Sequence, residues 1–115
     1  MYKTMLILSC YGAMHVYHEG TGKTDNSEFN RVVAFGNNRD TILLDGAFMP
    51  LRNMRNNFFE IEHNFILKDY SASYKGSYDY NTNTLNMSIY RTDSDGTHQK
   101  TDINAVCRNP TEQGR

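Results

Sequence analysis

Apolar and polar residues alternate with a period of two through most of the second half of the chain. The clearest case is the segment FFEIEHNFILKD (58–69), in which every second residue from Phe59 to Leu67 is aliphatic or aromatic. His63 lies on this apolar face, between Ile61 and Phe65. An alternation of this length predicts a half-buried antiparallel strand.

The neighbouring segments follow the same pattern. In YSASYKGSYDYN (70–81), Tyr74, Tyr78 and Tyr80 fall on one face, and the serines fall on the other. Clusters of Gly, Asn and Asp between the segments are turn signals, of which Asp95–Gly96 is the strongest. Further strands are predicted at 9–20, 29–36, 41–46, 85–90 and 98–107, and turns at 20–22, 36–38, 45–46 and 81–84.

The segment AFMPLRNMRNN (47–57) breaks the alternation, since it contains Pro50 and has no regular period. We predict an irregular loop there, with at most one short helical turn. No amphipathic helix separates any two strands, which argues against a parallel βαβ sheet. The pattern predicts a single all-β domain over 1–115, a small antiparallel β-barrel of about seven or eight strands, with a two-sheet β-sandwich as the alternative.

Composition supports a small β-fold and excludes some partners. Tyr and Phe, with 8 and 6 residues, supply much of the 38% hydrophobic content, and a thin aromatic core suits a barrel better than a helical bundle. The net charge is −1, and acidic and basic residues are spread along the chain. Without a basic stripe we expect no nucleic-acid partner. We also expect no membrane span, because no apolar run reaches about 18 residues.

The two cysteines lie at opposite ends of the predicted barrel sequence. Cys10 is near the start of the first strand and Cys107 at the end of the last. Because the first and last strands of a closed barrel are neighbours, we predict a Cys10–Cys107 disulfide. Such a bond implies an oxidising compartment, and therefore a periplasmic or secreted protein. The alternative is two unrelated buried thiols in a cytoplasmic protein.

Both ends of the chain have their own predictions. The apolar part of residues 1–8 (MYKTMLIL) is too short for a signal peptide, which needs about 7–15 apolar residues. We interpret this segment as the remnant of a removed leader or as the lead-in to the first strand. Residues 108–115 form a polar tail that is expected to fray.

The ionisable residues do not form a recognisable catalytic or metal-binding set. His15 and His18 are three apart on a predicted strand, so they point to opposite faces. Glu60 and Glu62 share one face, which is more typical of a solvated surface than of an acid–base pair. We therefore predict no enzyme activity, no metal and no cofactor.

Two groups of residues are candidates for binding a protein partner. Arg52 and Arg55 lie in the predicted irregular loop and could act as interface anchors. The tyrosine row of Tyr74, Tyr78 and Tyr80 either contributes to the core or forms an exposed aromatic patch, since Tyr is favoured at interfaces.

Three segments carry a resemblance to known families: SCYG (9–12), GSYDYNTNTLNMSIYRTDSDGT (76–97) and AVCRNP (105–110). Their layout resembles small, mostly uncharacterised bacterial envelope proteins. It is also loosely similar to the periplasmic C-type lysozyme inhibitors, which are small barrels with a terminal Cys pair. Those inhibitors insert a loop with Ser and Lys, near a Tyr, into the lysozyme cleft. The resemblance implies such a role for Ser71, Ser73, Tyr74 and Lys75.

These features together predict a non-enzymatic bacterial envelope protein that binds another protein, as an inhibitor or an immunity protein that blocks a hydrolase. One alternative is a cytosolic anti-defence inhibitor from a phage or mobile element. Another is a small-ligand carrier that uses the barrel interior, which the tyrosine-rich face would line.

Overall fold

Eight antiparallel strands make up the fold, and each is hydrogen-bonded to its neighbours in the sequence. The computed structural model describes residues 6–36, 40–44 and 46–109. The strands are β1 (Leu6–His18), β2 (Lys23–Phe35), β3 (Thr41–Leu44), β4 (Ala47–Arg55), β5 (Phe58–Ile66), β6 (Tyr70–Asp79), β7 (Thr84–Asp93) and β8 (His98–Arg108). Strand β1 also pairs with β8, so the sheet closes into a barrel and the predicted fold class is confirmed.

Aromatic side chains fill the interior, as the alternating pattern predicts. The ring of Tyr78 lies 4.7 Å from that of Phe35 and 4.6 Å from that of Tyr80, measured between centroids. Phe59 contacts Tyr80 from the neighbouring strand at 5.3 Å. Tyr78 and Phe35 are fully buried, and the hydroxyl of Tyr78 donates to Oδ1 of Asn83 at 3.1 Å. This part of the tyrosine row therefore belongs to the core.

Cys10 and Cys107 lie directly opposite each other in the ladder between β1 and β8. Their sulfurs are 1.99 Å apart, which is disulfide distance, and their Cα atoms are 3.9 Å apart. The N–H of Cys107 donates to the carbonyl of Asn83, on the β7 side, at 2.8 Å. The two cysteines are therefore a non-hydrogen-bonded pair, in which opposed side chains come closest. The predicted pairing is confirmed.

The prediction of an irregular loop at 47–57 is wrong, because most of that segment is strand β4. This strand pairs with β3 as far as Pro50 and with β5 from Leu51 onward. The N–H of Leu51 donates to the carbonyl of Asp40, on the β3 side. The nitrogen of Pro50 therefore faces β5, where the missing N–H breaks no ladder bond.

Two glycines allow strands to approach each other closely. A Cβ atom added at Gly12 would lie 2.0 Å from the carbonyl oxygen of Asn104, and one added at Gly76 would lie 2.1 Å from that of Asn86. Both obstacles are backbone atoms, which cannot move aside as a flexible side chain can. The absence of a side chain therefore allows β1 to approach β8, and β6 to approach β7, closely at these positions.

The remaining strand boundaries follow the predictions with one main exception. The second strand begins at Lys23 rather than Phe29, which the sequence did not predict because residues 23–28 are polar and exposed and carry no alternation signal. Smaller differences are that β1 begins at Leu6 rather than Ser9 and that β7 ends at Asp93 rather than Tyr90. Leu6–Leu8 belong to β1. Asn37, Asn38 and Asp45 of two predicted turns, residues 1–5, and 110–115 of the polar tail lie outside the described residues.

Candidate functional site

Strand β2 has one edge that is largely uncovered. It pairs with β1 along its whole length, but among the described residues it pairs with β3 only at Ala34 and Phe35. Within the described ranges, no strand pairs with the β3-side edge of residues 23–33. This stretch, which we call the free edge, is an unpaired edge of the barrel wall.

The backbone groups that point away from β1 can be assigned from one hydrogen bond. The N–H of Gly36 donates to the carbonyl of Thr41, on the β3 side, at 3.0 Å. The register between β1 and β2 runs without a bulge, and successive residues of a strand direct their backbone groups to alternate sides. The N–H and C=O groups that face the free edge are therefore those of Thr24, Asn26, Glu28, Asn30 and Val32.

Side-chain contacts from β1 hold the outer face of β2 in place. The hydroxyl of Tyr11 donates to Oε1 of Glu28 at 2.9 Å. This hydrogen bond, reinforced by the charge of the carboxylate, raises the pKa of the Tyr11 phenol above 10.0. His15 and Asn26 form a second cross-strand hydrogen bond. Glu28 thus presents its charge from a fixed position beside the free edge.

An apolar row crosses four strands on the outer face of the barrel. Ile7, Ala34, Leu43 and Phe48 are directly opposed in successive strands from β1 to β4. Ile7 is 50% exposed and Phe48 is 56% exposed. With neighbouring strands about 4.8 Å apart, the row extends over about 14 Å. Val32, which is 63% exposed, lies on the same face and joins the row to the free edge.

The residues assigned by resemblance to lysozyme inhibitors lie on strand β6, not in a loop. Ser71, Ser73 and Lys75 share the outer face, where the hydroxyl of Ser73 donates to Oδ1 of Asn64 at 2.6 Å. Tyr74 points inward, and its ring lies 5.5 Å from that of Phe65. The structure therefore does not bring Tyr74 together with the other three in one surface.

Arg52 and Arg55 lie on β4 and already contact neighbouring side chains. Arg52 forms an ion pair with Glu60 of β5. The guanidinium of Arg55 lies 5.5 Å from the ring centroid of Phe58. Both arginines are exposed, and such pairs add little to stability. They are not part of the apolar row.

A serine, an aspartate and a histidine are neighbours on the outer face of β7, β8 and β1. They line an open depression of about 330 Å³. The hydroxyl of Ser88 donates directly to Oδ1 of Asp102 at 2.7 Å, whereas His15 bonds to Asn26. In a nucleophilic triad the histidine stands between the serine and the carboxylate. The three side chains are therefore not arranged as a nucleophilic triad.

The histidines are arranged as the strand alternation predicts. His15 faces outward, and His18 faces the other side, with Nε2 3.0 Å from Oδ2 of Asp25. The ring of His63 packs on Phe65 at 4.6 Å. Among the described residues, no group of three His, Cys, Asp or Glu side chains is placed to hold a metal ion.

Comparison of the chain with protein-family models, with curated proteins and with solved structures finds no match. No helix in the described ranges has the length and apolar character needed to cross a membrane.

Sequence reasoning missed the free edge and the apolar row. The row consists of single apolar residues in four different strands, and only the register of the barrel aligns them. The one local signal was the pair Val32 and Ala34, two residues apart in a strand whose inner face carries Val33 and Phe35. A strand that is apolar on both faces indicates contacts on both sides.

Proposed function

We propose that this chain is a non-enzymatic binding protein of the bacterial envelope or exterior, which binds another protein through the outer face of β1–β4. It would act as an inhibitor or immunity protein that blocks a hydrolase. The observation that carries this proposal is the exposed apolar row with Val32 beside it. Contiguous exposed apolar patches on small proteins mark interaction sites.

The cysteine pair supports the proposed location. The sulfurs of Cys10 and Cys107 lie at disulfide distance, and disulfides persist in oxidising compartments. A periplasmic or secreted protein meets this condition, whereas a cytosolic anti-defence inhibitor would be expected to keep both thiols reduced.

The mechanism we propose is steric occlusion. Ile7 lies on β1, which pairs with β2, and Phe48 lies on β4, which pairs with β3. Because both backbones are held in the sheet, little conformational freedom is lost when a partner covers these side chains. Aromatic side chains at the centre of an interface commonly carry much of the binding energy. A rigid convex wall that docks over a cleft would exclude substrate without any chemical step.

The filled interior favours protein binding over small-ligand transport. Tyr78, Phe35 and Phe29 are among the largest fully buried side chains, and they occupy the space that a carrier would keep for its ligand. In the ligand-carrier alternative, the tyrosine-rich face would line an internal pocket, but Tyr78 packs against Phe35 instead.

The test is capture of a partner from a periplasmic and secreted extract by the immobilised, oxidised protein. We expect Phe48→Glu to reduce retention of the same partner by about tenfold or more, because a charge replaces an apolar anchor. The matched control is Ile66→Glu, which changes an 87% exposed residue on β5, outside the apolar row.

The captured partner is then assayed for hydrolase activity, which the wild-type chain should inhibit at a one-to-one ratio. Equal retention by wild type and Phe48→Glu would exclude the apolar row as the interface. Two free thiols in protein purified from the source bacterium would contradict the proposed compartment.

A further inference from the structure

We infer that the free edge of β2 is a strand-addition site, which an extended segment of the partner protein joins antiparallel to residues 24–32. The segment carries an apolar residue followed four positions later by a basic residue. This inference rests on the proposed function and names the element of the partner that is recognised.

Proline and a β-bulge, two of the features that prevent strand pairing, are absent from the free edge, which carries charged side chains at Lys23, Asp25, Glu28 and Arg31. Residues 23–35 contain no Gly or Pro, and their register with β1 has no bulge. Strand β4 differs, since Pro50 faces its β5 edge and the register shifts between Asn53 and Arg55. Proline and bulges are common means of blocking an exposed edge. The edge of β2 is therefore open to a further strand.

The backbone geometry supplies the binding groups for such a strand. Alternate residues from Thr24 to Val32 face the free edge with both N–H and C=O, as established from the Gly36–Thr41 hydrogen bond. The carbonyl of Asn30 accepts from Nη1 of Arg31 at 3.2 Å, a contact that an added strand would replace. In an antiparallel ladder each of them exchanges two hydrogen bonds with one residue of the added strand. Main-chain bonds of this kind provide affinity, and side chains at alternate positions provide specificity.

The side chains of the outer face define which segment fits. Glu28 and Val32 are four residues apart on this face, and Val32 adjoins Ala34 of the apolar row. A Lys or Arg opposite Glu28 would form a favourable cross-strand pair, and an apolar residue opposite Val32 would extend the row. Because the added strand runs antiparallel, its apolar residue precedes its basic residue.

A second copy of this chain fits the edge less well. Two-fold antiparallel pairing centred on Glu28 opposes the two Glu28 carboxylates on the outer face; it also opposes Asp25 to Arg31 on the other face, where Asp25 already contacts His18. Pairing centred on Ser27 opposes Lys23 to Arg31. Pairing centred on Phe29 forms no opposite-charge pair. Like charges directly opposite are destabilising in a sheet. On the outer face, where Glu28 and Val32 lie, the charge pattern therefore favours a different chain as the occupant.

The first test uses a capped nine-residue peptide in a Thr/Ser background, with Ile at position 1 opposite Val32 and Lys at position 5 opposite Glu28. Its affinity is measured by fluorescence anisotropy against a matched peptide with Glu at position 5. We expect the Lys peptide to bind about fivefold or more tightly, and Glu28→Lys to reverse the preference. Equal affinity of the two peptides for the wild-type chain would overturn the register.

The second test reads the backbone directly by amide hydrogen exchange. In the free protein, the amides of Asn26, Glu28 and Asn30 should exchange rapidly, while those of Ser27 and Phe29 are protected by β1. Binding of the Lys peptide should slow exchange at the first three about tenfold or more. Protection of these amides in the free protein, or no change on binding, would overturn the inference.

A third test distinguishes binding at the free edge from binding at the apolar row. Asn30→Pro removes an N–H that faces the free edge and leaves the ladder to β1 intact, so it should weaken peptide binding about tenfold while the barrel stays folded.

If a partner is captured through Phe48 but leaves Asn26, Glu28 and Asn30 unprotected, strand addition is wrong and the proposed function stands. If the peptide protects the edge but Phe48→Glu leaves capture unchanged, the proposed function fails and strand addition stands.

Discussion

The barrel wall has two contrasting seams, one between β1 and β8 and one between β2 and β3. Strands β1 and β8 are farthest apart in the sequence, yet they pair from Ser9–Arg108 to His18–Gln99 and meet at the cysteine pair. Strands β2 and β3 are adjacent in the sequence, yet in the part of the chain that the structure describes they pair only at Ala34 and Phe35. Proximity along the chain therefore does not decide how extensively two strands are joined.

The difference follows from strand length. Strand β3 has 4 residues and β2 has 13, so β3 cannot cover the edge of its neighbour. Strand β8 has 11 residues and matches most of β1. The β1–β8 seam thus contributes mainly to stability, whereas the incomplete β2–β3 seam leaves backbone groups for the binding we propose.

The largest expected effect concerns the β1–β8 seam. Replacing Cys10 and Cys107 by Ala should lower the free energy of unfolding by about 4–5 kcal/mol, because a cross-link across a sequence separation of 97 strongly restricts the unfolded chain. Urea denaturation measures this change. Adding a reductant should weaken the wild type to a similar extent and leave the double variant unaffected. A loss below about 1 kcal/mol would show that this seam holds without the bond.

Proline substitution compares the two edges of the wall directly. The N–H of Val106 faces β1 in the ladder, whereas that of Asn30 faces the free edge. Val106→Pro should cost about 3 kcal/mol or more, and Asn30→Pro less than about 1 kcal/mol. Both residues are exposed, so loss of core packing does not separate them. Similar losses in urea denaturation would mean that the edge at Asn30 is covered.

A smaller effect is expected where β1 and β8 approach closely. Gly12→Ala should destabilise the fold by about 1–3 kcal/mol, because the added Cβ meets the backbone of Asn104. Gly20 is the matched control, since nothing lies within 4 Å of a Cβ added there. Gly20→Ala should change stability by less than about 0.5 kcal/mol. Comparing the thermal unfolding of the two variants tests how closely the backbones of β1 and β8 approach each other at Gly12.

The smallest effect is a change in titration beside the free edge. Glu28→Gln should lower the pKa of the Tyr11 phenol toward 10.0, because the charged acceptor that favours the neutral phenol is removed. The raised folded-state pKa means that this contact stabilises the fold below about pH 10 and is lost as the pH rises through that pKa. The Tyr11 ring resonances followed by NMR report the shift. An unchanged titration in the variant would show that Glu28 does not contact Tyr11 in solution.

The alternation of apolar and polar residues was sufficient to predict the fold class. Phe59, Ile61 and Phe65 all face inward on β5, and Cys10 lies opposite Cys107 once the barrel is closed. These predictions succeeded because the period of a strand is local, and because closure requires the first and last strands to meet.

Two local patterns were misleading. Pro50 suggested a loop, but its nitrogen faces the edge of β4 where no ladder bond is required. Residues 23–28 gave no strand signal, because both faces of that part of β2 are exposed. A strand without a buried face has no alternation to detect, so its partner strand β1 is what defines it.

The sequence alone therefore determined which side chains face inward on regularly alternating strands such as β5, that the strands are antiparallel, and that the two cysteines meet. Only the tertiary structure decided that Ile7, Ala34, Leu43 and Phe48 form one row, and that β2 keeps a free edge. The physical reason is that side-chain alternation depends on each strand separately, whereas the row and the free edge depend on the register between strands. Register is set by turn geometry and by packing between strands, which the alternation within a single strand does not report, and the proposed binding surface depends on that register.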